Sequence, residues 1–582
     1  MSSKLSLYIV KFISVGFLFI SCAPLSKVKH NMYYIYATEE GDFGCGSAPP
    51  ASAYALAPTM FPDRDLALLV GSGLVVRSEV MEFLQSRIMP RFVEEFAASE
   101  IPLPVMADSY KAGHFRMYPE ALSMSAYGEF RTGMSGMGDN RFVFYGLSEI
   151  VEKYLERQWT VSDVERAALF YGTHNANFSA YQFPKELFLK FIAENDGYFP
   201  VRLEALPEGT VAHARTPVFV LTAEGEYSRL CTFLETVLTM VWYPSTVATL
   251  SRYTKELIRK AFEVSVDASN YGLLEYKLHD FGFRACTCVE QGVIGGKAHL
   301  LNFRGTDTMV AGYSAQFKDN GGRPVGTSVP ASEHSVMTSW RSESLAIANL
   351  LEVYAGEPIV SCVMDSYDYD EALATLLPPP AAQQQQQTFV IRPDSGNAVD
   401  QVLKALKAAD ERYGHRVNGK GFKCLKGAGV IQGDGLDYDT IGLILEAVMR
   451  EGYSVQDVSF GMGGGLLQKV NRDTMSFATK LSHIVYADGE ARNVMKRPKT
   501  DSGKFSLPGL VEVGRNAEGV LTAYPKAQLA PRVSALRVVY DRRPVVGKKD
   551  DFDTLRERVE TQWRFSRPNC DPLSAELRAL IA

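Results

Sequence analysis

The stretch Phe389-Val390-Ile391-Arg392-Pro393-Asp394-Ser395-Gly396 (FVIRPDSG, 389–396) decides the fold. It is a short apolar run that stops at a polar turn, and a helix-like stretch follows. Six more runs of this kind lie around it. They end near KLHDFG (277–282), NFRGTD (302–307), TSVP (327–330), VSCVMD (360–365), VIQGDG (430–435) and VSFGMGGG (458–465). With Asp280, Asp307, His334, Asp365, Asp394, Asp434 and Gly464 as markers, the steps are 27, 27, 31, 29, 40 and 30 residues. That spacing fits successive units of strand, polar loop and helix, an α/β pattern. The sequence does not repeat itself, so this is no solenoid. An α/β barrel gathers its post-strand loops at one face, and an open doubly wound sheet also puts polar groups at strand ends. The number of successive units without a fingerprint crevice favours the barrel.

The flanking sequence reads differently. Val201–Ala223 holds short apolar runs broken by Pro-Glu-Gly and Thr-Pro, as strands with turns do. Leu230–Val264 reads as mostly helical with a break near Tyr243-Pro244, and Val80–Phe96 as a helix interrupted by Pro90. Pro378–Gln387 is a low-complexity tract read as a solvated loop insertion, and Gly414–Gly421 reads as a polar loop. The charged segment from Asp541 onward, with a helix near Phe552–Trp563, reads as a surface tail. Residues 40–60 read as linker. Phe12–Leu25 is uncharged and apolar behind Lys4 and Lys11, which fits a signal or targeting segment; the other reading is a start without structural meaning. It is shorter than the ~20 residues a membrane span needs, so no stable span is expected.

The chain has 582 residues, long enough for more than one domain. Apolar residues make up 46% and charged residues 22%, as in soluble globular proteins. Its net charge of -6 argues against a nucleic-acid partner, which needs a basic surface. The eight cysteines are dispersed without a CxxC pair, and Cys286 and Cys288 stand too close for the usual zinc spacing. A reduced intracellular protein is therefore expected.

The polar clusters suggest chemistry. Gly463-Gly464-Gly465 before Leu466-Leu467-Gln468-Lys469 lets backbone approach an anion, though a tight turn alone explains it as well. Arg472 and Lys480 further on supply charge or merely sit on a wet face. In the 389–396 stretch, Arg392 offers a fork for phosphate and Asp394 suits Mg²⁺ or a ribose hydroxyl. Gly433-Asp434-Gly435 follows the same logic. His334 lies among polar residues at a strand end, and Asp365 at the next strand end is placed to orient its imidazole. Acids, arginines and glycine turns together suit a phosphorylated sugar with pyrophosphate and Mg²⁺. No GxxxxGK[ST] or strand-embedded GxGxxG occurs, which sets aside P-loop and ordinary dinucleotide readings.

These blocks carry a resemblance. DSYK (108–111), WYP (242–244), EYKLHDFGFR (275–284), GTDT (305–308), SVPASEHS (328–335), DSYD (365–368), RPDSGN (392–397), VIQGDG (430–435) and GGGLLQK (463–469) run in order from about 104 to 515. Together they resemble the nicotinate/nicotinamide phosphoribosyltransferase family, its nicotinamide branch in particular. The resemblance implies an irregular α/β barrel of the type II phosphoribosyltransferase kind with a β-rich second domain. The expected division is an N-terminal extension (1–100), a β-rich part (101–265 and 481–545), a barrel with the active site (266–480) and a C-terminal tail (546–582). It also implies transfer of phosphoribosyl from phosphoribosyl pyrophosphate to nicotinamide in NAD salvage, with Mg²⁺ as cofactor and ATP coupled through a phosphohistidine. The expected form is a homodimer with shared sites, in the cytoplasm, with an organelle or secretion as the alternative that the apolar N-terminus raises.

Carried over by motif, Phe281 stacks on the pyridine ring and Tyr110 of a partner copy covers its other face. Arg284, His334 and Arg392 hold phosphate or pyrophosphate oxygens. Gly433, Asp434, Gly464 and Arg472 hold ribose and 5′-phosphate, and Asp394 meets the metal. His334 is the phosphorylated residue, oriented by Asp365. Asp307 accepts from the amide NH₂ of nicotinamide and repels the carboxylate of nicotinate. The same-class alternative is a nicotinate enzyme, and the alternative outside catalysis is a secreted binding protein of the same fold. The sequence departs from the family at Gly429, where Arg is frequent, at Met462, and at Phe477-Ala478 before Lys480.

Overall fold

Seven chain segments between residues 278 and 462 pair in chain order and close on themselves. In the computed structural model six of them form a parallel sheet, in the order Gly305–Thr306, Leu278–Asp280, Val458–Met462, Ala428–Gln432, Thr388–Arg392, Ile359–Val363. The seventh joins the two edges. Thr327 bridges Gly305 at one edge, and Ala331 bridges Ser361 at the other, both parallel. The Thr306 amide donates to the Thr327 carbonyl at 3.0 Å, and the Ser361 amide to the Pro330 carbonyl at 2.9 Å. Each segment thus neighbours the one before and after it in sequence, and the last pairs with the first. The 327–331 segment forms single bridges instead of a ladder, which makes the barrel irregular. Helices Val289–Leu300, Met309–Phe317, Glu343–Val353, Tyr369–Thr375, Ala398–Tyr413 and Tyr438–Arg450 fill the crossovers, as parallel pairing requires.

The structure describes residues 100–379, 387–500, 502–528, 533–547 and 549–582, and before residue 100 only the backbone of five strands. One of those strands, Phe17–Pro24, lies in the apolar stretch Phe12–Leu25 read as a targeting segment, and Leu5–Phe12 reaches only its first residue. Two more, Phe43–Gly46 and Ala53–Thr59, fall in the stretch read as linker. Val80–Phe96 and most of the glutamine tract lie outside the described residues. Gln387, at the end of that tract, is buried and donates to the Tyr354 and Glu357 carbonyls.

Two compact units divide the chain: Met1–Gly113 with Trp159–Gly197, and His114–Gln158 with Tyr198–Ala582. In the first, Thr160 and Asp163 form a capping box that starts helix Val161–Tyr171. Trp159 packs edge-on against Phe188 and Phe191 of helix Lys185–Glu194.

The second unit holds the barrel and an antiparallel sheet in the order Ala491–Asn493, Phe477–Tyr486, Ala121–Phe130, Pro217–Glu224, Val201–Ala205, Arg537–Asp541. The barrel sequence is inserted between two of its strands. Helix Trp242–Ser265 begins at the Tyr243-Pro244 pair. Proline suits a first turn because the amide it lacks would have no partner there. The segment read as a surface tail is part of the core instead. Helix Phe552–Phe565 buries Phe552, Leu555, Val559 and Trp563, and Arg556 donates to the carbonyls of Leu300 and Val325. Among the described residues no helix is long and apolar enough to cross a membrane.

Candidate active site

The strand ends of the barrel bring the marker residues to one mouth. His334 opens helix His334–Ser339, and its Nε2 lies 2.9 Å from Asp365 Oδ1 at the end of the next strand. Asp365 Oδ2 accepts from the Ser395 hydroxyl at 2.5 Å and from the Asp394 amide at 3.0 Å. Burial pushes this carboxyl up, but the bonds from Ser395, His334 and Asp394 outweigh it and hold it below the usual carboxylate range. Arg392 Nη2 donates to Asp394 Oδ1 at 2.8 Å, and Asp394 Oδ2 lies 3.8 Å from His334 Nδ1. An imidazole, two carboxylates, a guanidinium and a serine thus form one connected network over three successive strand ends.

The second half of the mouth is aromatic. The Arg392 guanidinium sits 5.6 Å from the centroid of the Phe281 ring. Glycines make room for that ring. A Cβ on Gly461 would fall 2.0 Å from Phe281 Cε2, and one on Gly433 would fall 3.1 Å from it and 3.5 Å from Arg392 Nε. The Gly464–Leu467 turn packs on the same loop, where Gln468 Nε2 donates to the Gly282 carbonyl at 3.2 Å. Arg284 is exposed on the Phe283–Ala285 turn beyond Phe281.

The Asp307 amide donates to the Asp280 carbonyl at 2.9 Å, one residue before Phe281. Asp307 is exposed, and its Oδ1 accepts from the Ser328 hydroxyl at 2.6 Å. Asp280 itself is fully buried. Its Oδ1 accepts from the Gly282 amide at 2.7 Å, which fixes the turn that carries Phe281. Burial pushes the Asp280 carboxyl up to about 6, with the nearby Asp307 charge adding to the rise.

Most predicted residues therefore share the mouth: Phe281, Asp307, His334, Asp365, Arg392, Asp394, Gly433 and the Gly464 turn. Asp434 is exposed beside Gly433. Arg472 is exposed and pairs with its own neighbour Asp473 at 3.0 Å, so the structure does not tie it to this network. Tyr110 belongs to the first unit, on helix Ser109–His114, and is 55% exposed. Met462 is buried beneath the glycine turn, where a Cβ on Gly465 would meet its Cγ at 3.2 Å, so its size serves packing. Gly429 is buried in its strand, and a Cβ there would come within 3.2 Å of the Asp457 carbonyl oxygen. Sequence reasoning missed Ser395, Ser328 and Gly461 as members of the site. Only Gly461 had a usable signal, since glycine inside a strand marks a close approach.

Seven parallel segments closed in chain order, with acids, arginine and glycine turns at one mouth, define an enzyme-like α/β barrel of irregular type. Solved structures share the fold. Nicotinate-nucleotide pyrophosphorylase from Pyrococcus furiosus superposes with a TM-score of 0.52 at 17% identity, over 80% of this chain and 97% of that one. Human nicotinic acid phosphoribosyltransferase superposes with a TM-score of 0.54 at 16% identity, over 81% and 99%. The nicotinate phosphoribosyltransferase (NAPRTase) family matches residues 276–541, and the nicotinamide phosphoribosyltransferase N-terminal domain matches 103–203. Nicotinamide phosphoribosyltransferase of Xanthomonas campestris pv. campestris is 38% identical over 419 residues, 70% of this chain and 86% of the relative. That of Acinetobacter baylyi is 29% identical over 492 residues, 78% of this chain and 96% of the relative. The chain belongs to the nicotinamide phosphoribosyltransferase family and is an enzyme that transfers phosphoribosyl groups.

Proposed function

We propose that this enzyme joins nicotinamide to phosphoribosyl pyrophosphate, giving nicotinamide mononucleotide and pyrophosphate in NAD salvage. The observation that carries the reading is the grouping of Phe281, Arg392 and Asp307 at one mouth. The Phe281 ring provides an apolar face for a flat heterocycle, and Tyr110 of the partner subunit covers the other face in a homodimer. Asp307 accepts from the amide NH₂ and repels a carboxylate in its place. The pyridine nitrogen forms the bond to ribose C1 as the bond to pyrophosphate breaks, through a cationic sugar. The electron pair leaves with the pyrophosphate oxygen. Arg284 and Arg392 stabilise that departing anion, a preorganised electrostatic contribution. Holding the two reactants face to face supplies the remainder. Gly433, Asp434, Gly464 and Arg472 hold the ribose and 5′-phosphate.

Among the described residues no cluster of three or more His, Cys, Asp or Glu is arranged to hold a metal. The Asp394 carboxylate at the mouth fits Mg²⁺, which is bound through one or two carboxylates plus substrate phosphates rather than by a protein cage. Asp394 would hold it, and the ion's chemistry is to neutralise pyrophosphate charge.

His334 takes the γ-phosphoryl group of ATP. Its Nε2 is tied to Asp365, so the Nδ1 lone pair attacks, ADP leaves, and the ring proton stays on Nε2 facing the carboxylate. Water then returns the group as inorganic phosphate. The test is purified protein with radiolabelled nicotinamide or nicotinate, phosphoribosyl pyrophosphate and Mg²⁺, with and without ATP. Nicotinamide mononucleotide formation that ATP stimulates is expected, with Asp307→Ala losing nicotinamide turnover or gaining nicotinate use. A wild type that prefers nicotinate overturns the assignment.

A further inference from the structure

The segment that closes the barrel also places a hydroxyl. The Thr327 amide donates to the Arg304 carbonyl at 2.8 Å, and its carbonyl accepts from Thr306. This pairing sets the next residue, Ser328, opposite Asp307, which stands one residue beyond the Gly305–Thr306 strand. The Ser328 hydroxyl donates to Asp307 Oδ1 at 2.6 Å, a short bond of the charge-assisted kind. The Asp307 backbone is held from the other side by the Asp280 carbonyl. Both side chains are exposed at the mouth. With its backbone pinned and Oδ1 occupied, Asp307 presents Oδ2 in a fixed direction.

We infer that Ser328 is a positioning residue for selection of an amide over a carboxylate. The inference rests on the reading of Asp307 as the acceptor for the nicotinamide NH₂. An acceptor discriminates by leaving a polar group unpaired when the wrong ligand sits against it, and it does so only where its own position is fixed. Without the Ser328 hydroxyl, the carboxylate turns about its own bonds and either oxygen can swing away from the amide. Ser328 never touches the reacting atoms, so its effect falls on binding of the heterocycle.

The test uses the full chain with Ser328→Ala, Ser328→Thr, Asp307→Ala and the double variant Asp307→Ala/Ser328→Ala. Steady-state rates are taken with nicotinamide and with nicotinate at saturating phosphoribosyl pyrophosphate, and thermal melts check folding. Ser328→Ala is expected to raise KM for nicotinamide about tenfold with kcat within about twofold, the size of a lost bond to a charged group. The nicotinamide-to-nicotinate ratio of kcat/KM falls by the same factor. Ser328→Thr restores both, and Ser328→Ala adds nothing in the Asp307→Ala background. An unchanged ratio in Ser328→Ala overturns the inference while leaving the assigned reaction standing. So does an equal loss in the Asp307→Ala background. A wild type that prefers nicotinate overturns the assigned reaction and this inference together.

Discussion

His334 Nε2 and Asp365 Oδ1 meet at 2.9 Å although 31 residues separate them. The barrel makes that contact inevitable, because consecutive strand ends are neighbours in space. Asp365 is in turn held by Ser395 and the Asp394 amide, from the strand end after it. Three successive loops therefore fix one imidazole. A carboxylate in this position selects the tautomer of the ring and steadies its charged form.

Asp365→Asn is expected to lower ATP stimulation by about tenfold or more, because the carboxylate orients the imidazole and steadies its charged form. The reaction without ATP stays within a few-fold of wild type, because Asp365 holds no substrate itself. Initial rates with and without ATP, and acid-labile phosphate on the protein, separate the two effects. Equal loss in both assays would show Asp365 acting on the transfer step instead.

Gly461→Ala tests the aromatic half. The added methyl group would stand 2.0 Å from Phe281 Cε2 and 2.7 Å from its Cζ. The ring must move, and with it the face offered to nicotinamide and to Arg392. KM for nicotinamide is expected to rise more than about tenfold, and stability to fall by about 1–3 kcal/mol from overpacking. A companion Phe281→Leu variant with the same KM defect but unchanged melting would place the effect on the ring.

The strand ends were readable because each apolar run stops at a polar residue, so Asp280, Asp307, Asp365 and Asp394 mark them, although Asp280 turns out buried against the Gly282 amide. What sequence spacing could not show is closure. The 327–331 segment makes two bridges and no ladder, and nothing in TSVPA distinguishes it from a loop. The antiparallel sheet pairs Phe477 with Phe130, partners too distant in sequence for any local pattern to link. Ser328 and Ser395 look like ordinary turn hydroxyls until a carboxylate is found against them. The charges of helix Phe552–Phe565 hide a narrow apolar stripe from a reading of the sequence, and Arg556, a residue type expected at the surface, is buried among carbonyls.

That C-terminal helix supports a third prediction. Glu560 accepts from Arg252 at 2.6 Å and from Arg259 at 2.6 Å, and lies 3.3 Å from Lys255. Burial pushes its carboxyl up, but Arg252 and Lys255 outweigh it and hold it at about 2. Arg252 and Lys255 are themselves buried. Glu560→Gln leaves two buried cations short of a partner, although Glu256 and Glu275 still face them. The expected loss is about 2 kcal/mol, below the full cost of an orphaned buried charge because Glu560 is partly exposed. Thermal melts at neutral pH read it directly. The contribution of Glu560 in the wild type is present above the ordinary glutamate range and lost as pH falls toward 2.

Acid should also act through His299. Its Nδ1 lies 3.0 Å from the Ser251 hydroxyl and its Nε2 3.0 Å from the Gly305 carbonyl, and its ring stacks on Phe303. Burial pushes its pKa down from 6.5 to about 3, against a smaller opposing pull from the Gly305 carbonyl. The folded protein thus refuses a proton that the unfolded chain accepts. Stability contributed by the neutral ring is complete above pH 6.5 and falls as pH drops toward 3, by about 1.4 kcal/mol per pH unit for one proton. Asp280 works in the opposite direction, since a carboxyl raised to about 6 favours the folded state as pH falls through that value. The comparison must therefore be between wild type and His299→Asn at each pH. The variant is expected to be less stable at pH 7 but to lose stability with a shallower slope, by close to one proton, in urea melts between pH 6.5 and 4. Parallel slopes would mean that His299 is protonated in the fold. The consequence reaches the active site, because the carbonyl that His299 holds belongs to Gly305, at the start of the strand whose end presents Asp307.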